Sequence, residues 1–293
     1  MKFIQQDSNT KYYQIEATRI IAIISVVIYH MLVESGWFLT EGEALIAIKP
    51  VSIMMAILMF DSGFVHGIKE EFESQGSLNK STYYSYIKKR FLRLYIGYYL
   101  AYTAVYITKF ISKYPMTITP YTLFFDLTNT WGLFFGVTGE IWGPGWFLCA
   151  LFWLSVLYPF VRRLMSIRMT YVYIIITFSF CFIVFFFFTA YHVTYFHPFA
   201  WIPEFFGGVL LGRHTALKGT RPKPATTGFQ KIIIKMGSRT YPIYLAHIVP
   251  ILLLSYRPPI WEYIIAIIGI LILSEAFYRL LKLIDNLRKR NTG

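Results

Sequence analysis

"EATRIIAIISVVIYHMLVE", residues 16–34, is apolar over most of its length but carries an arginine and a histidine inside the run. A membrane-spanning helix needs about 20 mainly apolar residues to cross roughly 30 Å of hydrocarbon, and this stretch meets that requirement. An ionised side chain near the bilayer centre costs roughly 2.5–3.5 kcal/mol even on insertion scales, so Arg19 and His30 call for a reason. Eleven residues advance a helix by about 16 Å and by three turns plus about 20°, which puts both side chains on one face. Glu16, three residues before Arg19, and Glu34, four after His30, extend the same stripe. The pattern reads acid, base, imidazole, acid. It is compatible with a functional path, and also with a snorkelling arginine plus one interhelical histidine hydrogen bond.

The rest of the chain places this helix in a larger membrane protein. Of the 293 residues, 56% are hydrophobic and only 15% charged, where a soluble domain carries about 25% charged residues. The net charge of +13 does not point to nucleic acid, because the basic residues collect in loops between apolar runs, the positive-inside pattern of membrane topology. No cleavable signal peptide is expected: the first apolar run begins near Ala17, after a polar segment, and no small-residue cleavage site follows it. Cys149 and Cys181 both lie in apolar runs and read as packing residues. The six histidines are scattered, without the paired spacing of a metal site, so no metal is expected.

The predicted fold is an all-α polytopic membrane protein in one domain, residues 1–293, with about eight transmembrane helices and a range of eight to ten. Candidate spans are 17–35, 46–67, 92–112, 144–161, 170–190, 198–212, 240–256 and 260–282. The segment 121–138, "YTLFFDLTNTWGLFFGVT", is apolar but interrupted by Asp126, Asn129 and Gly132. It forms either a ninth span or a re-entrant piece. With the N-terminus cytoplasmic and 121–138 not crossing, 24 of the 28 Lys and Arg residues fall on one side, leaving Lys49, Lys109, Lys113 and Arg257 outside. If 121–138 crossed, every later loop would flip and that bias would collapse. Charge therefore favours eight spans, both termini cytoplasmic and a re-entrant 121–138.

Several further groups could carry chemistry. "YIKKRFLRLYIGYYL", residues 86–100, sets Arg90 and Arg93 one turn apart beside Lys88 and Lys89, a fork suited to phosphate oxygens and equally to ordinary anchoring. "RTYPIYLAH", 239–247, puts a second imidazole, His247, in a predicted span. "PEFFGGVLLGRH", 203–214, combines Glu204 with Gly207, Gly208 and Gly212, which permit close helix packing. Asp61 and Ser62, in "FDSGF", lie near the cytoplasmic end of the second span.

Taken in order, Arg19 and His30, "SGF" at 62–64, Arg90-x-x-Arg93, "WFLCALF" at 146–152, "PEFFGGVLLG" and "YPIYLAH" make the chain resemble the acyltransferase 3 family of integral membrane acyltransferases. The resemblance covers most of the chain. It implies transfer of an acyl group, usually acetyl, from cytoplasmic acetyl-CoA or another acyl-CoA to a hydroxyl of an extracytoplasmic glycan, in the bacterial plasma membrane. On the matching positions it makes His30 the candidate general base or acyl relay and Arg19 a donor ligand. Arg90 and Arg93 become candidates for the CoA phosphates. Glu34 is placed to orient His30, and Asp61, Ser62, Glu204 and His247 are further candidates. The acyl-CoA is a substrate, and no resident cofactor is expected. The expected partners are the lipid bilayer, the glycan acceptor and proteins of polysaccharide biosynthesis.

The chain departs from the family in two ways. About two spans common in longer members are missing between 213 and 239, and the tryptophan-containing helix lacks the glutamate often carried by members acting on peptidoglycan or lipopolysaccharide. The missing glutamate tilts the expectation toward a capsule or exopolysaccharide. The alternative from a different class is a polysaccharide exporter without transferase chemistry. Against it, the chain shows no inverted repeat of the kind many transporters carry.

Overall fold

The computed structural model describes residues 12–37, 41–68, 80–164, 195–218 and 226–290. These are helical, with no strand among them. The long helices are α1 (Tyr13–Glu34), α2 (Glu41–Ile68), α3 (Lys80–Ile111), α6 (Trp146–Leu164), α7 (Ile202–Leu217) and α11 (Ile260–Arg290). Shorter ones are α4 (Pro120–Thr128), α5 (Trp131–Phe135), α8 (Gly228–Gly237), α9 (Thr240–Ala246) and α10 (Ile248–Ile251). The predicted span 170–190, and Cys181 with it, lie outside the described residues.

Four stretches among the described residues are long and apolar enough to cross a membrane: Tyr13–Glu34, Pro50–Ile68, Gly143–Val161 and Ile260–Leu287. The chain is a helical membrane protein by this measure and by composition. Helix α3 is long enough, at 32 residues or about 48 Å, but Lys88, Lys89, Arg90, Arg93 and its many tyrosines dilute its apolar content. Its first turns, from Lys80, extend well before the expected start at 92.

Two predicted segments break where local chemistry requires it. Within 121–138 the chain forms α4 and α5, separated at Asn129, which takes the left-handed conformation (φ 51°) that ends α4. Helix α4 begins on a capping box, Thr119 and Thr122 exchanging side-chain and backbone hydrogen bonds with Pro120 at the first helical position. Its nine residues span about 13 Å, too short to cross alone. The predicted span 240–256 is likewise two pieces, α9 and α10, divided at His247. Pro250 accounts for the division: its ring conflicts with the carbonyl four residues earlier, at Ala246, and it supplies no N–H. Beyond α10 the backbone turns, and Arg257 adopts a positive φ of 49°.

The described residues of Met1–Leu58, Ile96–Pro115 and Pro222–Gly293 form one compact unit, and those of Met59–Tyr95 and Met116–Arg221 a second. In the first unit α1 packs on α8, α9 and α10, and α11 packs on α9 and α10. Met31, Ile251, Ala266 and Ile270 form its apolar centre, flanked by Val27, Ile243, Leu254 and Tyr263. In the second unit α6 is the hub, meeting α5, α7 and the 3-10 turns at 143–145 and 198–201. Trp146, at the start of α6, stacks on Trp201 at 5.7 Å between ring centroids. Also within this unit, Gly63 and Gly67 of α2 face Phe205 and Val209 of α7, and Gly208 and Gly212 face Phe60 and Phe64 in return. Each glycine sits directly against a carbonyl of the other helix, so the two backbones touch through a four-residue glycine repeat on both sides.

Candidate active site

The two imidazoles singled out in the sequence meet in the first unit. His30 of α1 and His247, at the α9–α10 break, have ring centroids 5.1 Å apart and planes tilted by 51°. His247 is wholly buried, at 0% exposure. Its Nδ1 lies 2.7 Å from the carbonyl oxygen of Tyr244. A carbonyl only accepts, so Nδ1 carries the proton, and the unprotonated nitrogen of the neutral ring is Nε2. Among the described residues that buried Nε2 has no hydrogen-bond partner. The edge of Tyr29 packs on His30 at 5.3 Å, and Tyr244 lies 5.6 Å from His247. The result is a buried lone pair held in a fixed direction, among aromatic rings and beside a second imidazole.

At the other end of α1, Arg19 Nη1 donates to Glu16 Oε1 at 3.3 Å. Glu16 is 4% exposed and lies directly over Gly237, the last residue of α8, where any larger side chain would collide with its carboxylate. The glycine makes room for the acid, and the acid holds the guanidinium by one corner. Arg19 stays part-exposed, with its remaining donors on the same helix as His30 and about 16 Å from it.

Glu34, expected to orient His30, takes different neighbours. It is exposed at the end of α1, and its electrostatic partners are Lys109 and Tyr114 at and just past the end of α3. Lys109 Nζ sits 5.0 Å from the centre of the Tyr114 ring. The Glu34 carboxylate, helped by partial burial, raises the Tyr114 phenol above its usual value near 10. Next to Glu34, Ser35 Oγ accepts from Tyr263 Oη at 2.9 Å, and Tyr263 accepts in turn from Trp37 Nε1. The backbone N–H of Arg257 donates to the Ser35 carbonyl at 2.8 Å. This end of the first unit is therefore closed by a hydrogen-bonded corner.

The second unit holds the remaining candidates. Asp61 is buried. Ser62 is half-buried, and its carbonyl accepts from His66 Nδ1 at 2.7 Å. His66 Nε2 lies 3.3 Å from Ser155 Oγ, which donates to the Leu151 carbonyl at 2.7 Å, while Phe205 and Tyr158 pack edge-on against the ring. Arg90 is 8% exposed with its guanidinium 5.3 Å from the centre of the Tyr86 ring, so it is more deeply placed than a loop-mouth arginine. Tyr86 in turn donates to the Ser155 carbonyl at 3.1 Å. Arg93, one turn on, is half-buried. Glu204, in the first turn of α7, has a buried Oε2 with no hydrogen-bond partner among the described residues. Neither His66 nor Ser155 stood out in the sequence, since 89 residues separate them and each is unremarkable alone.

Asp126, in sequence an interruption of an apolar run, organises the second unit's 120–145 region. It is 2% exposed. Oδ1 accepts from Trp131 Nε1 at 2.8 Å and from the Glu140 N–H at 3.1 Å, and Oδ2 accepts from the Ile141 N–H at 3.2 Å. Burial nevertheless pushes this carboxyl above the usual aspartate range, with the three donors acting against that shift. Asn129 donates to the Gly145 carbonyl at 3.0 Å, tying the α4–α5 break to the turn that starts α6.

Among the described residues no cluster of three or more His, Cys, Asp or Glu side chains is arranged to hold a metal ion. Cys149 is fully buried in α6. Compared with known proteins, the chain matches a family model described as an acyltransferase domain over residues 12–225. No curated protein and no solved structure matches it significantly.

Proposed function

Because the chain belongs to the acyltransferase 3 family, we propose that it is a bacterial plasma-membrane O-acyltransferase that moves an acetyl group from cytoplasmic acetyl-CoA to a hydroxyl of a cell-surface polysaccharide. The observation that carries this reading is the imidazole pair of half-buried His30 and buried His247, with Arg19 on the helix of His30 about 16 Å away. The pantetheine arm of CoA extends roughly 15–20 Å by the reach of extended-chain geometry, which matches that rise. Arg19 then holds anionic groups of the donor while the thioester carbonyl lies near His30. Arg90 and Arg93 are further candidates for the donor's phosphates, through the bidentate geometry that guanidinium offers. Asp61, Ser62 and Glu204 are candidates for polar contacts to either substrate.

In the reaction, His30 takes the proton of the acceptor hydroxyl as its oxygen attacks the thioester carbonyl carbon. The new C–O bond forms, the C–S bond breaks, and the proton passes to the departing sulfur, giving an ester and free CoA thiol. An imidazole whose ordinary pKa is near 6.5 suits that task at neutral pH, and such assistance is typically worth about 10²–10⁴ in rate. In this reading the chain crosses the membrane eight times with both termini cytoplasmic, and 121–138 dips in without crossing. The break at Asn129 supports the last point.

The test uses membrane vesicles from cells that make the polymer, supplied with acetyl-CoA labelled in the acetyl group. The proposal expects label in alkali-labile esters of the polymer only when the protein is present. Equal labelling without it, or loss of exported polymer in its absence, would move the exporter reading to the front.

A further inference from the structure

A hydroxyl proton taken up by His30 creates an imidazolium inside an apolar helix bundle, and something must hold the ring and share that charge. We propose that His247 is the positioning residue that does so: its Nε2 accepts the second N–H of His30 and takes part of the proton as the acyl group moves. This rests on the transferase reading above and adds a second histidine to it.

Three observations point the same way. The Tyr244 carbonyl fixes the proton of His247 on Nδ1, which leaves Nε2 an acceptor. That Nε2 is fully buried and finds no hydrogen-bond partner among the described residues, an arrangement that is costly unless a partner arrives. Finally, the ring centroids lie 5.1 Å apart, close enough for one nitrogen of each ring to come within hydrogen-bond distance after a small rotation. The Pro250 break puts His247 at this point, since it divides α9 from α10 there. The logic is that of a catalytic triad, in which a third group holds the base in one tautomer and stabilises its charged form. The step balances: the proton leaves the hydroxyl, resides on the His30–His247 pair, and ends on the CoA sulfur, with no other reactant consumed.

Four variants at equal membrane levels separate the possibilities, with CoA thiol release from acetyl-CoA read in polymer-bearing vesicles. His247→Ala is expected to lower the maximal rate by about 10²-fold or more while the acetyl-CoA concentration for half-maximal rate changes less than about twofold, since the loss falls on the transition state. His247→Gln, whose side-chain oxygen reaches the place of Nε2, recovers about tenfold over His247→Ala, by accepting the hydrogen bond without taking the proton. His247→Phe fills the space without an acceptor and stays as low as His247→Ala. Recovery by Phe but not Gln would mean that His247 only packs, and would overturn the inference. So would His247→Ala acting like wild type while His30→Ala is dead, an outcome that leaves the transferase reading intact. Activity surviving in His30→Ala would instead strike at that reading itself.

Discussion

The α2–α7 contact offers a prediction that adjacent residues test against each other. At Gly208 an added Cβ would lie 2.0 Å from the Phe60 carbonyl oxygen and 2.8 Å from the Phe64 backbone nitrogen, whereas at Gly207 the nearest atom would be the edge of the Phe60 ring at 3.8 Å. Ordinary van der Waals contact begins at 3.4 Å, so Gly208→Ala must part the helices by about 1.4 Å. Backbone cannot swing aside as a side chain can. Overpacking of this kind costs about 1–3 kcal/mol, and a chain of this size loses roughly 2–4 °C per kcal/mol, so the midpoint should fall by about 2–12 °C. Gly207→Ala meets no obstacle and replaces glycine in a helix interior, a change that favours the helix by roughly 0.5–1 kcal/mol. Its midpoint should hold or rise. Thermal unfolding of both variants in detergent, followed by tryptophan fluorescence, reads the difference. Equal midpoints, or a larger loss at Gly207, would refute the backbone-to-backbone contact.

Three further perturbations test other parts of the account. Asp126→Asn puts an amide where two backbone N–H groups and an indole N–H now find acceptors; it should cost about 1–3 kcal/mol and open the 139–141 backbone, seen as faster amide exchange there. Glu34→Gln removes the negative charge that holds the Tyr114 phenol above its usual value, so the phenol should ionise at lower pH than in wild type; a fluorotyrosine placed at 114 and followed by fluorine NMR would show it, and an unmoved titration would contradict the pairing. Arg90→Ala should raise the acetyl-CoA concentration for half-maximal rate more than it alters acceptor dependence, and equal effects on both would remove Arg90 from the donor site.

Where the sequence was readable, one local signal sufficed. The runs that became α1, α2, α6 and α11 are continuous apolar stretches of spanning length, and nothing distant was needed to find them. The break in 121–138 was also visible, because Asp126 and Asn129 interrupt the run. The purpose of Asp126 was not, since its backbone partners lie 14 and 15 residues further on. In the 240–256 segment the break was not visible, because its hydropathy is continuous while the effect of Pro250 falls four residues upstream, on the carbonyl before His247. His30 and His247 were each conspicuous as imidazoles in apolar runs, but 217 residues separate them in the sequence, and only the fold of α1 against α9 and α10 brings the rings together. Glu34 shows the limit of helical spacing. It stands on the stripe of His30, yet it lies where α1 ends, and there the charge of Lys109 draws it the other way.

The most direct test of the central claim is the ester-linked acetyl content of the surface polysaccharide, by mass spectrometry after mild alkaline release, from cells with wild type and with His30→Ala at equal membrane levels. The account predicts that the esters disappear in the variant while the amount of polymer stays the same. Unchanged esters would contradict it, and would reduce the imidazole of α1 to a packing group in a membrane helix.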